Sequence, residues 1–89
     1  MNYFVYLLVS FSIKNKVISY VGYTNNLNKR LELHNKSKGA KFTKGKKWYL
    51  AYSKRYTNKN IAMKEEYKLK KNTDMRKKIK DNFFKNFYN

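Results

Sequence analysis

Three stretches of the chain carry apolar and aromatic side chains in the manner of strands, and three others repeat them at helical spacing. Tyr3-Phe4-Val5-Tyr6-Leu7-Leu8-Val9 is unbroken, β-branched and aromatic, the pattern of a strand covered on both faces. Val17-Ile18-Ser19-Tyr20-Val21-Gly22 is a second such run. The polar Ser12–Lys16 lies between them, with Asn15 tolerant of positive φ, so the two runs predict an antiparallel hairpin. Trp48-Tyr49-Leu50-Ala51-Tyr52-Ser53 predicts a third strand that could extend to Tyr56.

Leu27, Arg30, Leu31 and His34 fall at i, i+3, i+4 and i+7, one face of a helix that Thr24, Asn25 or Asn26 could cap. Gly39 suits the exit of that helix or the loop just past it. Thr57-Asn58 precede a second helix over about Lys59–Lys71, with Ile61, Ala62, Glu65, Glu66 and Leu69 near one side. Thr73-Asp74 open a third, along which Met75, Ile79 and Phe83 recur. Phe84, Phe87 and Tyr88 beyond them either dock on the body or fray. Residues 37–47 are basic, contain glycine, and predict irregular chain or one short helical turn. With no repeat and no linker, residues 1–89 read as one domain in the order ββα, basic loop, βαα. Its core spans about 3–72, and 73–89 form a C-terminal helix or tail.

Composition sharpens this outline. Eighty-nine residues suffice for one domain and not for two. Hydrophobic residues make up 42% and aromatics 18%, with nine Tyr and six Phe, which excludes the low-hydrophobicity class of disordered chains. Twenty-two Lys and Arg face five Asp and Glu, a formal charge of +17. A field of that size draws polyanions, and nucleic acid is the first candidate, because each phosphate neutralised releases counterions. An anionic membrane surface and a ribosome-associated role are the alternatives. All but three of the basic residues are Lys, and Asn, Tyr, Phe and Ile are abundant. That bias is also what AT-rich codons produce, so it discounts the lysines and singles out Arg30, Arg55 and Arg76. Without Cys there is neither a disulfide nor a thiolate metal site. The apolar run at Tyr3–Val9 lacks a basic lead and a cleavage site, which excludes a signal peptide, and no stretch approaches the ~20 residues of a membrane span. The expectation is an intracellular protein, cytoplasmic or nucleoid-associated, with no membrane partner.

The carboxylates constrain any chemistry. Two-metal nucleases need three or more convergent acids. Here Glu32, Glu65, Glu66, Asp74 and Asp81 are scattered, and only Glu65 and Glu66 are neighbours. A phosphodiesterase built on this chain would hold one metal on a carboxylate and use a base that is neither Asp nor Glu. Tyr6 and Tyr20 lie on adjacent predicted strands, with Tyr23 just beyond. Their phenols, ordinarily near pKa 10, would be lowered by a cationic field. Against this, a Tyr in an amphipathic hairpin is usually core with its hydroxyl at the surface. Arg30 shares the inward face of its helix, where a guanidinium needs an anionic partner; a surface pair with Glu32 is the alternative. His34 shares that face too, where a satisfied, half-buried imidazole is the commoner case. Glu66 could simply pair with Lys70, and Glu65 with Lys68 or Lys64.

Taken in order, Phe4-Val5-Tyr6, Tyr20-Val21-Gly22, Leu27…Arg30-Leu31…His34 and Glu65-Glu66-Tyr67 resemble the GIY-YIG nuclease domain. The first motif departs from the family name at Phe4 and Val5, and the second has Val21 for Ile. Gly39-Ala40-Lys41-Phe42-Thr43 and Ala62–Lys68 resemble its short stand-alone bacterial members. The resemblance covers about residues 3–72. It implies an α+β fold, a three-stranded antiparallel sheet flanked by helices with the site on one face. It also implies a metal-dependent endonuclease hydrolysing DNA. Tyr6 and Tyr20 would flank the attacking water, one of them as general base. Arg30 would contact the scissile phosphate through its fixed fork of donors. His34 would hydrogen-bond near the nucleophile or phosphate. Glu66 would be the sole protein carboxylate on one Mg²⁺ or Mn²⁺, waters completing the shell, with Glu65 as the fallback. Tyr23 stands where some relatives carry Lys, and Asn72 near the late Asn of some members. Lys38, Lys41, Lys44, Lys46 and Lys47 would line the substrate path, with Phe42 and Trp48 available to stack on a splayed base. The alternative for that stretch is a solvated cationic loop. DNA is expected ahead of RNA, with a protein partner as a possible source of specificity. The competing function is a basic nucleic-acid-binding module without catalysis.

Overall fold

A computed structural model describes residues 1–11 and 16–87. The predicted turn at Ser12–Asn15, and Tyr88, lie outside the described residues. The elements are β1 (Tyr3–Phe11), β2 (Val17–Thr24), α1 (Leu27–Asn35), a single 3₁₀ turn (Lys41–Thr43), β3 (Tyr49–Tyr56), α2 (Lys59–Lys71) and α3 (Thr73–Phe87). The strands form one antiparallel sheet in the order β2-β1-β3. The central place of β1 explains its unbroken apolar run, since Val5 to Ser10 are all buried.

Alternation along β1 divides the molecule into two cores. Val5, Leu7 and Val9 point to one face and pack with Val21, Ala62 and Leu69, the latter two from α2. Ile79 and Phe83 of α3 close over the same face. Tyr6 and Leu8 point the other way and pack with Trp48, Tyr20, Leu27 and Leu31, so α1 covers the opposite face. The fold is α+β, with helices on both sides of a three-stranded sheet.

Asparagines start all three helices. The side chains of Asn26, Asn58 and Asn72 accept from the backbone N–H groups of Lys29, Ile61 and Met75 at 3.1, 3.1 and 3.0 Å. Asn72 is thereby accounted for as a cap, and its resemblance to a late functional Asn has no support here. The C-terminal aromatics dock: Phe83 and Phe87 pack against Phe11 and Tyr49. Two boundaries differ from expectation. β2 runs on to Thr24, and Trp48 precedes β3 instead of opening it. Gly39 takes the second of its two expected places, the loop just past the helix, because α1 closes at Lys36 and Ser37 takes the left-handed conformation at φ 60°.

Candidate active site

The face of the sheet under α1 gathers most of the polar chemistry of the chain. Tyr20 stands opposite Leu8 and Gly22 opposite Tyr6, so the two tyrosines are diagonal neighbours on one face. The Tyr6 ring lies across Gly22: a Cβ at that position would sit 2.6 Å from the ring carbon Cζ. Only glycine lets the phenol reach over the outer strand in this way. His34 comes from the last turn of α1 and is fully buried.

A chain of hydrogen bonds joins these groups, and its direction is fixed at one end. The Thr43 hydroxyl donates to the Ala40 carbonyl at 2.8 Å. Its oxygen is then left to accept from His34 Nδ1–H, 2.9 Å away. That assigns the proton of a neutral His34 to Nδ1 and turns the lone pair of Nε2 towards Tyr6, whose hydroxyl lies at 2.9 Å and must donate. Arg30 Nε completes the series by donating to the Tyr6 oxygen at 3.4 Å. The order is Arg30 to Tyr6 to His34 to Thr43 to Ala40.

Neighbouring residues hold this series in place. The Trp48 indole donates to the Thr43 carbonyl at 3.0 Å. The Asn35 side chain grips the Trp48 backbone at both ends, accepting from its N–H at 2.6 Å and donating to its carbonyl at 3.2 Å. Gly39 is required by His34, because a Cβ there would approach the imidazole carbons Cγ and Cε1 to 2.8 Å. Thr43, Asn35, Gly22 and Gly39 are structural members of the site that periodicity does not reveal. The sequence signals were the Tyr20-Val21-Gly22 motif and the Gly39–Thr43 segment, both read as parts of a resemblance that gave these residues no roles; Asn35 had no such signal.

The environment sets the protonation states. Burial pushes the His34 pKa down and Arg30 pushes it further, so the imidazole is neutral at pH 7. The Tyr6 hydroxyl is raised, chiefly by burial. Arg30 opposes that rise, while the charges of Tyr20 and Glu66 add to it. The expectation of a phenol lowered by surrounding cations is therefore corrected for Tyr6: desolvation outweighs the pull of the Arg30 guanidinium.

Histidine occurs once in the chain. As pH falls, the unfolded chain takes up this proton first, at the ordinary value near 6.5, because the folded value lies below it. The stability gained by burying a neutral imidazole is complete above about pH 6.5 and is lost as pH falls through it towards the folded value. The melting temperature is expected to drop between pH 7 and pH 5, and His34→Gln to flatten that slope. Equal slopes in the two proteins would exclude His34 as the group responsible.

Arg30 has no ion pair among the described residues. Glu32, its anticipated surface partner, pairs instead with Lys36 at 2.6 Å. The guanidinium lines a shallow hollow with Tyr3, Tyr23, Thr24, Asn25 and Lys59. Glu66 projects from α2 with its side chain 18% exposed and pairs with Lys70 at 3.4 Å. Its charge reaches the Tyr6 hydroxyl, whereas that of Glu65 acts on Tyr56. Glu65 lines a different hollow with Tyr52, Lys54 and Lys68. Tyr23 packs with the α2 and α3 core, on the other face of the sheet from Tyr20. Lys38, Lys41, Lys44, Lys46 and Lys47 are exposed, as is Phe42. Trp48 is only 1% exposed, so it cannot meet a base as expected.

No group of three His, Asp or Glu that could hold a metal exists among the described residues. The donor set instead suits one hard cation on a single carboxylate: Mg²⁺ retains most of its waters and is commonly held through one or two carboxylates plus substrate phosphate. Glu66, half-buried on α2, is a carboxylate of that kind, and its charge is a minor contributor to the raised Tyr6 pKa.

A family model described as the GIY-YIG catalytic domain matches residues 2–80. The chain belongs to the GIY-YIG family. That family is one of nucleases. A UPF0213 protein of Oceanobacillus iheyensis is 50% identical over 52 residues, covering 57% of this chain and 60% of that protein. The UPF0213 protein YazA of Bacillus subtilis is 43% identical over 61 residues, covering 67% and 62%. The matched regions thus span about three fifths of these curated relatives. A UPF0213 protein of Bacillus halodurans, solved by NMR in solution, is 30% identical with a TM-score of 0.47, covering 88% of this chain and 80% of its own. The GIY-YIG match runs past residue 72 into α3, whose Ile79 belongs to the core. The departures at Phe4 and Val5 leave the tyrosine of the first motif in register above Gly22. No helix of the described residues is long and apolar enough to cross a membrane.

Proposed function

We propose that the chain is a metal-dependent endonuclease that hydrolyses DNA phosphodiester bonds with Tyr6 as general base and one divalent ion. The observation that carries this reading is the directed hydrogen-bond series Arg30–Tyr6–His34–Thr43. A phenol whose pKa is raised is a poor base unless its own proton has somewhere to go. Here the Nε2 lone pair of neutral His34 faces the hydroxyl. As the attacking water gives a proton to the Tyr6 oxygen, the Tyr6 proton passes to Nε2. The water oxygen bonds to phosphorus, the bond to the leaving oxygen breaks, and His34 ends as imidazolium. Its depressed pKa then favours return of that proton to solvent or product.

Tyr20 makes no hydrogen bond among the described residues, which leaves its hydroxyl available to the water or a phosphate oxygen. Among the described residues the Arg30 guanidinium makes one hydrogen bond, to Tyr6, and its other N–H groups would serve the scissile phosphate, where charge develops. Glu66 would hold Mg²⁺ or Mn²⁺, and a bound ion of this kind supplies Lewis-acid stabilisation of phosphate and leaving-group charge. Glu66 is preferred to Glu65 because its side chain is the less exposed, 18% against 35%, and because its charge adds to the rise of the Tyr6 pKa. The exposed Lys38, Lys41, Lys44, Lys46 and Lys47 would carry the flanking phosphates. A separate protein could supply sequence specificity.

The test is incubation of the purified chain with single-stranded, duplex, flap and branched DNA, with Mg²⁺ or Mn²⁺ and with a chelator. Nicking of at least one form, abolished by the chelator, is expected. Tight binding with no cleavage of any form would leave a basic binding module instead.

A further inference from the structure

The basic stretch between α1 and β3 displays one large apolar side chain that core packing does not explain. Phe42, in the 3₁₀ turn, is 53% exposed. Its ring stacks on Tyr20, centroids 6.3 Å apart and planes 19° from parallel, and leans on Trp48 at 6.1 Å. Lys46 places its ammonium 5.4 Å from the ring centroid and donates to the Phe42 carbonyl at 3.3 Å. The turn itself is anchored. Thr43, the next residue, is fully buried, bonded to His34 through its hydroxyl and to the Trp48 indole through its carbonyl. An exposed aromatic ring is thus held at a fixed distance from the Tyr6–His34 pair, surrounded by cations.

We propose that Phe42 is the platform for one unstacked nucleobase of the substrate, with Lys41, Lys44 and Lys46 on the adjoining phosphates. The chain would then engage nucleic acid where a base is free of the duplex, as in a single strand or flap. The position of that base beside the scissile phosphate rests on the nuclease reading above; the stacking does not. In a duplex both faces of every base are already covered, so a ring at a fixed position gains a face contact only after a base is unstacked. In a single strand that step is already done, and aromatic stacking accepts any base because each has a π-face. Lys46 covers the ring when no base is bound. Its long stem lets the ammonium move aside to a phosphate.

The experiment measures binding by the full chain without metal, so cleavage is not needed. Fluorescence anisotropy compares a labelled single-stranded oligonucleotide with the same sequence as a duplex. Phe42→Ala is expected to weaken single-strand binding by roughly 5- to 150-fold, the range for loss of one base–aromatic stack, while duplex binding stays within about twofold. Phe42→Leu, which keeps apolar bulk without a π-face, should lose as much, and Phe42→Trp should retain binding. Equal losses on both substrates, or single-strand binding by Phe42→Leu equal to the parent, would overturn the proposal. A selective loss in a chain that never cuts would sustain the platform and reject the nuclease.

Discussion

Glu66→Ala is expected to slow metal-dependent cleavage by about a thousandfold or more, equivalent to ~4 kcal/mol of barrier. The figure follows from the scarcity of alternatives: no group of three potential ligands exists among the described residues, and Glu65 pairs with Lys68 beside a hollow that Tyr56 also lines. Binding of nucleic acid should persist or tighten, because the substitution removes a negative charge from a chain of net +17. The dependence of rate on Mn²⁺ concentration should also vanish from any residual activity. Glu65→Ala, by contrast, should cut within about twofold of the parent, since its charge lies with an exposed ion pair to Lys68. If Glu65→Ala loses activity and Glu66→Ala keeps it, the assignment of the acid is reversed.

Arg30→Ala should lower the cleavage rate about 10²- to 10³-fold, the loss seen when one donor to a developing oxyanion is removed. Arg30→Lys should restore little of this, because a lysine offers a point charge in place of a planar fork that spans Tyr6 and a phosphate. A second readout separates a role in the site from loss of structure. Arg30 helps to hold the His34 pKa down, so removing it lets that pKa rise. If activity needs neutral His34, the acid limb of the pH–rate profile should move to higher pH in Arg30→Ala. A fall in rate with an unmoved acid limb would place Arg30 outside the Tyr6–His34 unit.

The architecture was legible in the sequence because its signals are local. Unbroken β-branched runs marked the strands, and Asn26 and Asn58 marked helix starts before apolar faces. Helical spacing alone brought Arg30 and His34 to the sheet, and strand adjacency brought Tyr6 near Tyr20. What escaped was set by contacts distant in sequence. Gly39 was expected at the helix exit or in the loop just past it, and it lies in that loop. The sequence did not show that a Cβ there would collide with the His34 ring. Thr43 carries no periodicity, but it decides which nitrogen of His34 faces Tyr6. Trp48 was expected to be available to a base because it adjoins the basic stretch, whereas it is buried and its indole is spent on pinning Thr43. The Tyr6 pKa was misjudged for a related reason: net charge is visible in composition, but desolvation of one phenol depends on how it is packed.

The most direct test of whether these groups serve a single phosphate is a double-mutant cycle of Arg30→Ala and Glu66→Ala, with single-turnover cleavage rates for the four proteins. Residues that act as one unit are strongly non-additive, so the double variant should cut about as slowly as the worse single variant. Rates that multiply as for independent sites, or a parent-like rate in either single variant, would contradict a common centre.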